Sequence, residues 1–248
     1  MTEEAIVAIS AEEREDTLNS IREGVRGVVR KFDDEYWLQR DEDGVFPNEF
    51  HRAMADAGWL GITMPEEYGG SGLGVTEAAI MMHEVANNGG GMAAASSVHI
   101  NLFGPHPIIV FGNHEQKSEW IPRLVAGQDK VAFGVTEPDA GLDTTRIKTF
   151  AEKVPGGYKV RGQKVWTSTA QVASKIMLLT RTTRYEDCKR PTDGITIFYT
   201  DLDRSKIEVQ RIPKMGRKAV DSNAIFIEDL FIPDEHRIGE EGKGFSYI

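Results

Sequence analysis

The chain has 248 residues, 40% of them hydrophobic and 27% charged, enough to bury a core in one large domain or two ordinary ones. With 29 basic against 39 acidic residues its formal charge is −10, which argues against nucleic acid as the main partner, since phosphate binding needs clustered Lys and Arg. No apolar run nears the roughly 18 residues of a membrane span, and the single cysteine, Cys188, excludes an internal disulfide.

The opening Met1-Thr2-Glu3-Glu4 is acidic, unlike the basic start of a signal or transit peptide, so the expected location is cytoplasmic. Up to about residue 129 the apolar residues follow a helical period. Leu18, Ile21, Val25, Val28 and Phe32 make one stripe. Pro47 suits a helix start, and Phe50, Met54 and Ala57 share a face before Gly58 stops it. Residues 75 to 87 and 91 to 103 read as two further helices rich in Ala and Met. Asn113 and Gln116 have capping-box spacing ahead of Trp120, Ile121 and Leu124, and Gly127 closes that helix.

From residue 130 to about 240 the pattern is that of strands. Tyr158 to Arg161 alternates, and Pro155-Gly156-Gly157 can close a hairpin on residues 147 to 153. Lys175 to Thr182, Ile195 to Thr200, Ile207 to Gln210 and Ala224 to Ile232 are further strand candidates. Helices followed by strands predict an α+β chain, an all-α domain joined to a small β-barrel or sandwich. Residues 241 to 248 read as the start of a further element, as in a cut chain.

Two segments carry candidate chemistry. Gly134 to Arg146 leaves a strand and turns on two glycines and Pro138, with Thr136 offering a hydroxyl and an amide and Asp143 able to cap the turn. Such a loop suits a flat, polar-edged ligand or a phosphate; no His or Cys cluster suggests a metal. A plain connecting loop is the equal alternative. In Gly162-Gln163-Lys164-Val165-Trp166-Thr167-Ser168 an indole stands beside two hydroxyls, either as a wall for a ligand or as ordinary core.

Val135-Thr136-Glu137-Pro138-Asp139-Ala140-Gly141-Leu142-Asp143 resembles the acyl-CoA dehydrogenase signature (V/M)TEPxAGSD, and Gly162 to Ser168 is similar to that family's second flavin segment. Met64 to Gly72, Lys214 to Ser222 and Gly239 to Phe245 also match family loops, in family order across nearly the whole chain. The resemblance implies an N-terminal helical domain, a middle β-barrel domain, and a C-terminal four-helix bundle that is missing here. It implies FAD, an acyl-CoA substrate, α,β-desaturation with hydride transfer to flavin N5, electron-transfer flavoprotein as acceptor, and a homodimer or homotetramer. An acyl-CoA oxidase or flavin monooxygenase of the same fold, or a non-catalytic flavin or acyl-CoA-binding protein, are the alternatives.

By this resemblance Phe133, Val135 and Thr136 line the flavin ring, Thr136 at its pyrimidine edge; Trp166 packs on the isoalloxazine and Ser168 lies near N5. Gly141, Leu142 and Thr167 complete the cofactor set. Leu142 stands where the family has Ser, which loses one hydrogen bond worth roughly 0.5–1.5 kcal/mol; Thr144 or Thr145 can replace it. The catalytic base belongs to the missing C-terminal domain, so no catalytic residue is assigned; Glu137 is structural and Glu84 reads as a paired structural carboxylate. For substrate, the Leu142 backbone faces the CoA portion, while Lys189 and Arg190, or Arg217 with Lys214 and Lys218, can meet its phosphates or adenine. His99 is either a satisfied core histidine or a lining residue of the acyl cavity, where Met92, Ala95 and Ser96 can set chain length.

Overall fold

The computed structural model describes residues 11–248; Met1 to Glu4, on which the targeting expectation rests, lie outside the described residues. Seven helices come first: α1 (Ala11–Val29), α2 (Asp34–Asp43), α3 (Asn48–Asp56), α4 (Val75–Ala86), α5 (Gly91–Phe103), α6 (His106–Phe111) and α7 (His114–Val125). The stripe of α1 meets Phe50 and Met54 of α3, Val85 of α4 and Val98 of α5 in one buried core. Phe32 lies past the end of α1 and joins that core from the turn, edge-on to Phe50. The capping box of α7 forms as its spacing predicts: Gln116 N donates to Asn113 Oδ1 at 2.8 Å and Asn113 N to Gln116 Oε1 at 3.0 Å. Gly127 then ends the helix with φ of 62°, where a β-carbon would meet Ala55.

Eight strands follow: β1 (Val131–Gly134), β2 (Phe150–Val154), β3 (Gly157–Ser168), β4 (Lys175–Arg181), β5 (Ile195–Asp201), β6 (Ile207–Arg211), β7 (Ser222–Pro233) and β8 (Arg237–Ile238). They form one mixed sheet in the order β6-β7-β3-β2-β4-β5-β8, with β1 paired to β4. The hairpin closes at Pro155-Gly156, opposite Val154 and Gly157. It starts at Phe150 and not at residue 147, because the amides of Lys148 and Thr149 bond the carboxylate of Glu137 instead of a strand.

Strand alternation sorts the side chains of β4 into two cores. Ile176 and Leu178 pack inside the sheet with Val160, Phe198 and Ile225. Met177 and Leu179 face the other way, onto Ile108, Trp120 and Leu124 of α6 and α7. This places the helical domain on the outer face of the sheet, beside β1, β4 and β5.

Asp129 locks the junction. It accepts Arg123 Nε at 2.7 Å and Ser174 Oγ at 3.0 Å, while its carbonyl accepts Asn101 Nδ2 at 3.1 Å. One residue thereby joins α7, α5 and the approach to β4. Asp129→Asn is expected to destabilise the chain by about 1–3 kcal/mol, because a charged acceptor is lost. Thermal unfolding checks this: Tm should fall by several degrees, and an unchanged Tm contradicts the role.

Candidate functional site

The loop after β1 and the end of β3 come together at backbone level. Val165 N donates to the carbonyl of Thr136 at 2.9 Å, so Trp166 directly follows the residue that binds the loop. The β3–β7 register shifts between Lys164 and Thr167. This bulge puts Trp166 at φ of 61° and leaves its indole 61% exposed. A left-handed bulky residue costs on the order of 1–3 kcal/mol and persists only where its surroundings enforce it. The expectation that Trp166 could be ordinary core is overturned, since the bulge reverses its side.

Beneath the loop lies a pair that the linear pattern hid. Lys164 is fully buried, and its Nζ donates to Glu137 Oε1 at 2.8 Å and to the carbonyl of Val135 at 3.1 Å. Glu137 also accepts the amides of Lys148 at 2.6 Å and Thr149 at 3.0 Å. Burial pulls Lys164 down to about 8, so it is still protonated at neutral pH. Burial alone would raise Glu137, but Lys164 and the amides hold its carboxyl below the usual range. Gly162 is required nearby, because a β-carbon there would stand 2.5 Å from Thr149 Oγ1.

The other site residues divide into those near this loop and the end of β3, whose junction is called the slot below, and those away from it. Phe133 meets Phe103 of α5 edge-on at 5.3 Å, and Phe103 packs on His99 at 4.9 Å. Phe103 and Phe133 also border an apolar cavity of about 640 Å³ with Leu73, Val75, Ala78 and Leu102. Val135 and Thr136 are half-buried; Gly141 and Leu142 are exposed, Leu142 completely. Gly134 is small because Leu178 and Ile176 crowd it, whereas Gly141 has open space. Thr167 is buried with an unbonded Oγ1, and Ser168 pairs with Ser222 across the ladder. Asp143 caps its turn by accepting Thr145 N at 3.1 Å; the Thr145 hydroxyl bonds the same carboxylate, so Thr145 is already engaged.

His99 is half-buried, its Nδ1 has no hydrogen-bond partner among the described residues, and burial lowers its pKa, so it stays neutral at pH 7. Ser96 is buried beside it, Met92 is exposed, and Ala95 packs into the helical core and not toward the slot. Glu84 is the paired carboxylate its surroundings predict, held by Arg26 at 2.8 and 2.9 Å.

The basic residues fall in two places. Lys189 and Arg190 are exposed on the β4–β5 loop, Arg190 paired with Asp193 at 2.8 Å. That loop is built around Arg181, a buried cation that donates to the carbonyls of Pro191 and Asp193 and to that of Thr145 on the slot loop. Its strand position gave no sign of this. Arg217 lies elsewhere, between α5 and β7, and donates to Ser96 Oγ at 2.7 Å.

These features suit a flat aromatic cofactor: an indole forced outward, an orphaned hydroxyl behind it, and a threonine at one edge. Among the described residues no group of three or more His, Cys, Asp or Glu side chains could hold a metal, and no helix is long and apolar enough to cross a membrane.

A helical domain followed by a mixed-sheet domain is the order of the acyl-CoA dehydrogenase fold, and comparison with known proteins agrees. Residues 15–128 match the family model for the acyl-CoA dehydrogenase N-terminal domain and residues 132–230 that for the middle domain. The chain is 30% identical over 233 residues to mitochondrial isovaleryl-CoA dehydrogenase of Solanum tuberosum, covering 93% of this chain and 55% of that protein. The glutaryl-coenzyme A dehydrogenase–glutaryl-CoA complex superposes with a TM-score of 0.86 at 27% identity, covering 96% of this chain and 59% of that one. The FAD complex of PigA gives 0.83 at 25% identity, covering 96% and 61%. The chain thus spans somewhat over half the length of these relatives. It belongs to the acyl-CoA dehydrogenase family, of which it carries the N-terminal and middle domains.

Lys164→Met is expected to destabilise the chain by about 3–5 kcal/mol, since it strands a buried carboxylate; adding Glu137→Gln should recover part of that. Denaturant melts of the single and double variants check it, and equal stability of Lys164→Met and wild type contradicts it.

The acid limb follows from the depressed pKa of Glu137. Its contribution is complete above the unfolded value of about 4.3 and is lost as pH falls through the folded one. Stability should therefore drop below about pH 4.3, and more shallowly in Glu137→Gln; identical acid limbs contradict the pair's role.

Proposed function

We propose that this chain forms the flavin and acyl-CoA-binding part of an FAD-dependent acyl-CoA dehydrogenase. The observation that carries the reading is Trp166, held outward at positive φ one residue from the backbone bond to Thr136. FAD, when bound, supplies the hydride acceptor, at N5, for α,β-desaturation of the thioester. Trp166 would support one face of its ring and Thr136 its pyrimidine edge, with Phe133, Val135, Thr167 and Ser168 around it, Gly141 and Leu142 completing the cofactor set and the Leu142 backbone facing the CoA portion of the substrate. Lys164 and Glu137 position the loop that carries these contacts.

Removal of the α-proton needs a carboxylate base and hydrogen bonds to the thioester oxygen as it gains charge. Glu84 and Glu137 are both engaged by cations, so we place the base in the C-terminal helical domain of the family. The α5 face with Ser96 and His99 would wall the acyl chain, and Lys189 and Arg190 would meet CoA phosphates. Electron-transfer flavoprotein as acceptor, a homodimeric or homotetrameric assembly and a cytoplasmic setting complete the proposal.

The test is to purify the full-length protein and follow visible flavin absorbance after anaerobic addition of acyl-CoA. Bound flavin that bleaches supports the reading, and rapid reoxidation by air would make it an oxidase. Trp166→Ala should weaken FAD binding by roughly 5- to 150-fold, the worth of one stacking contact of about 1–3 kcal/mol. Unchanged FAD affinity removes the observation on which the reading rests.

A further inference from the structure

Arg217 occupies the β6–β7 connection with φ of 55°, a left-handed conformation that few residues other than Gly, Asn and Asp adopt readily. The surroundings enforce it. Lys214 Nζ donates to the Arg217 carbonyl at 3.1 Å, and the Lys218 amide donates to Asp41 Oδ1 of α2 at 2.6 Å. The side chain is thereby turned toward α5, where Nη1 donates to Ser96 Oγ at 2.7 Å and Nη2 to Ser222 Oγ at 3.3 Å. Ser96 is one turn before His99 on α5, and Ser222 is the ladder partner of Ser168. The guanidinium stands where the α5 face meets the Ser168 end of the slot.

This cation forms no ion pair among the described residues, although Asp34 and Asp41 line the same cleft. The arginine ion pairs among the described residues use Arg22, Arg26, Arg40, Arg123, Arg146, Arg161, Arg190 and Arg237, and not Arg217. Two hydroxyls engage two of its five N–H donors, and hydroxyls carry no charge. Arg52, Arg181, Arg204 and Arg211 also lack a carboxylate but bond backbone carbonyls, whereas the guanidinium of Arg217 bonds two side-chain hydroxyls. His99 is neutral and offers no compensation.

We propose that Arg217 is a subsite for a carboxylate carried on the acyl group, so that the substrates include acyl-CoA esters with a second acid function. The proposal rests on the acyl-CoA reading above. A planar guanidinium suits a carboxylate and a CoA phosphate alike. Two features favour the carboxylate. Through Ser96, Arg217 is bonded to the α5 face proposed above to wall the acyl chain, and not to the Lys189–Arg190 loop proposed to meet CoA phosphates. The cleft of about 560 Å³ that Arg217 lines also holds Asp34 and Asp41, which repel a polyanionic nucleotide more strongly than a single carboxylate.

The test uses the FAD-loaded full-length protein and pairs of esters of matched length, butyryl- against succinyl-CoA and hexanoyl- against adipoyl-CoA. Calorimetric Kd values and kcat/KM are compared as ratios within each pair. Wild type should favour the carboxylate-bearing member of at least one pair. Arg217→Asn, which tolerates the left-handed turn, should lower that preference roughly tenfold to a hundredfold, and Arg217→Lys should retain part of it. A ratio unmoved by Arg217→Asn overturns the proposal. So does equal weakening of both members that disappears with dephospho-CoA esters, which would assign Arg217 to the CoA phosphate. Binding without preference sinks this proposal alone; failure of every ester to bind sinks the acyl-CoA reading as well.

Discussion

A lysine amine with no contact with water fixes the geometry of this site. Lys164 sits in β3 two residues before Trp166, and its bonds to Glu137 and to the carbonyl of Val135 fasten the slot loop to that strand. The carboxylate in turn takes the amides of Lys148 and Thr149, which delays the start of the β2–β3 hairpin. Burying two charges is expensive unless both are paired and hydrogen-bonded, and here both are. The same pair fastens the loop whose Thr136 carbonyl accepts Val165 N, next to the bulge that turns Trp166 outward.

Strain concentrates around the end of β3, with Asp229 on β7 the exception. Of the four non-glycine residues with positive φ among the described residues, Trp166 and Thr169 flank the end of β3 and Arg217 lies across from Ser168. Each is held by neighbours: a bulge at Trp166, the carbonyl of Asp221 bonded to Thr169 N, and the Lys214 and Asp41 bonds around Arg217. Backbone that is costly by itself and enforced by its surroundings marks positions where side-chain direction matters more than stability.

Much of the architecture was legible in the sequence. The α7 capping box and the Pro155-Gly156 turn are local signals and formed where their spacing placed them, as did the α1 stripe up to Val28, with Phe32 in the turn beyond the helix. The parallel pairing of β1 with β4 was not legible, because the two segments are far apart in sequence and periodicity reports faces, not neighbours. The β4 run could be recognised as a strand but not as one buried on both sides. Lys164 sits in an alternating strand, where a lysine reads as solvent-facing; its burial depends on a glutamate 27 residues earlier. Ala95 and Ser96 were grouped together, yet adjacent helical positions face different surroundings, one the helical core and the other Arg217. The exposure of Trp166 depends on a single bulge that alternation alone assigns to the opposite face.

The proposed bracketing of a flavin ring by Trp166 and Thr136 is tested most directly by a crystal structure of the full-length protein with FAD. The isoalloxazine should lie against the Trp166 indole with its pyrimidine edge at Thr136. An indole left in solvent, with the ring bound elsewhere, would contradict it.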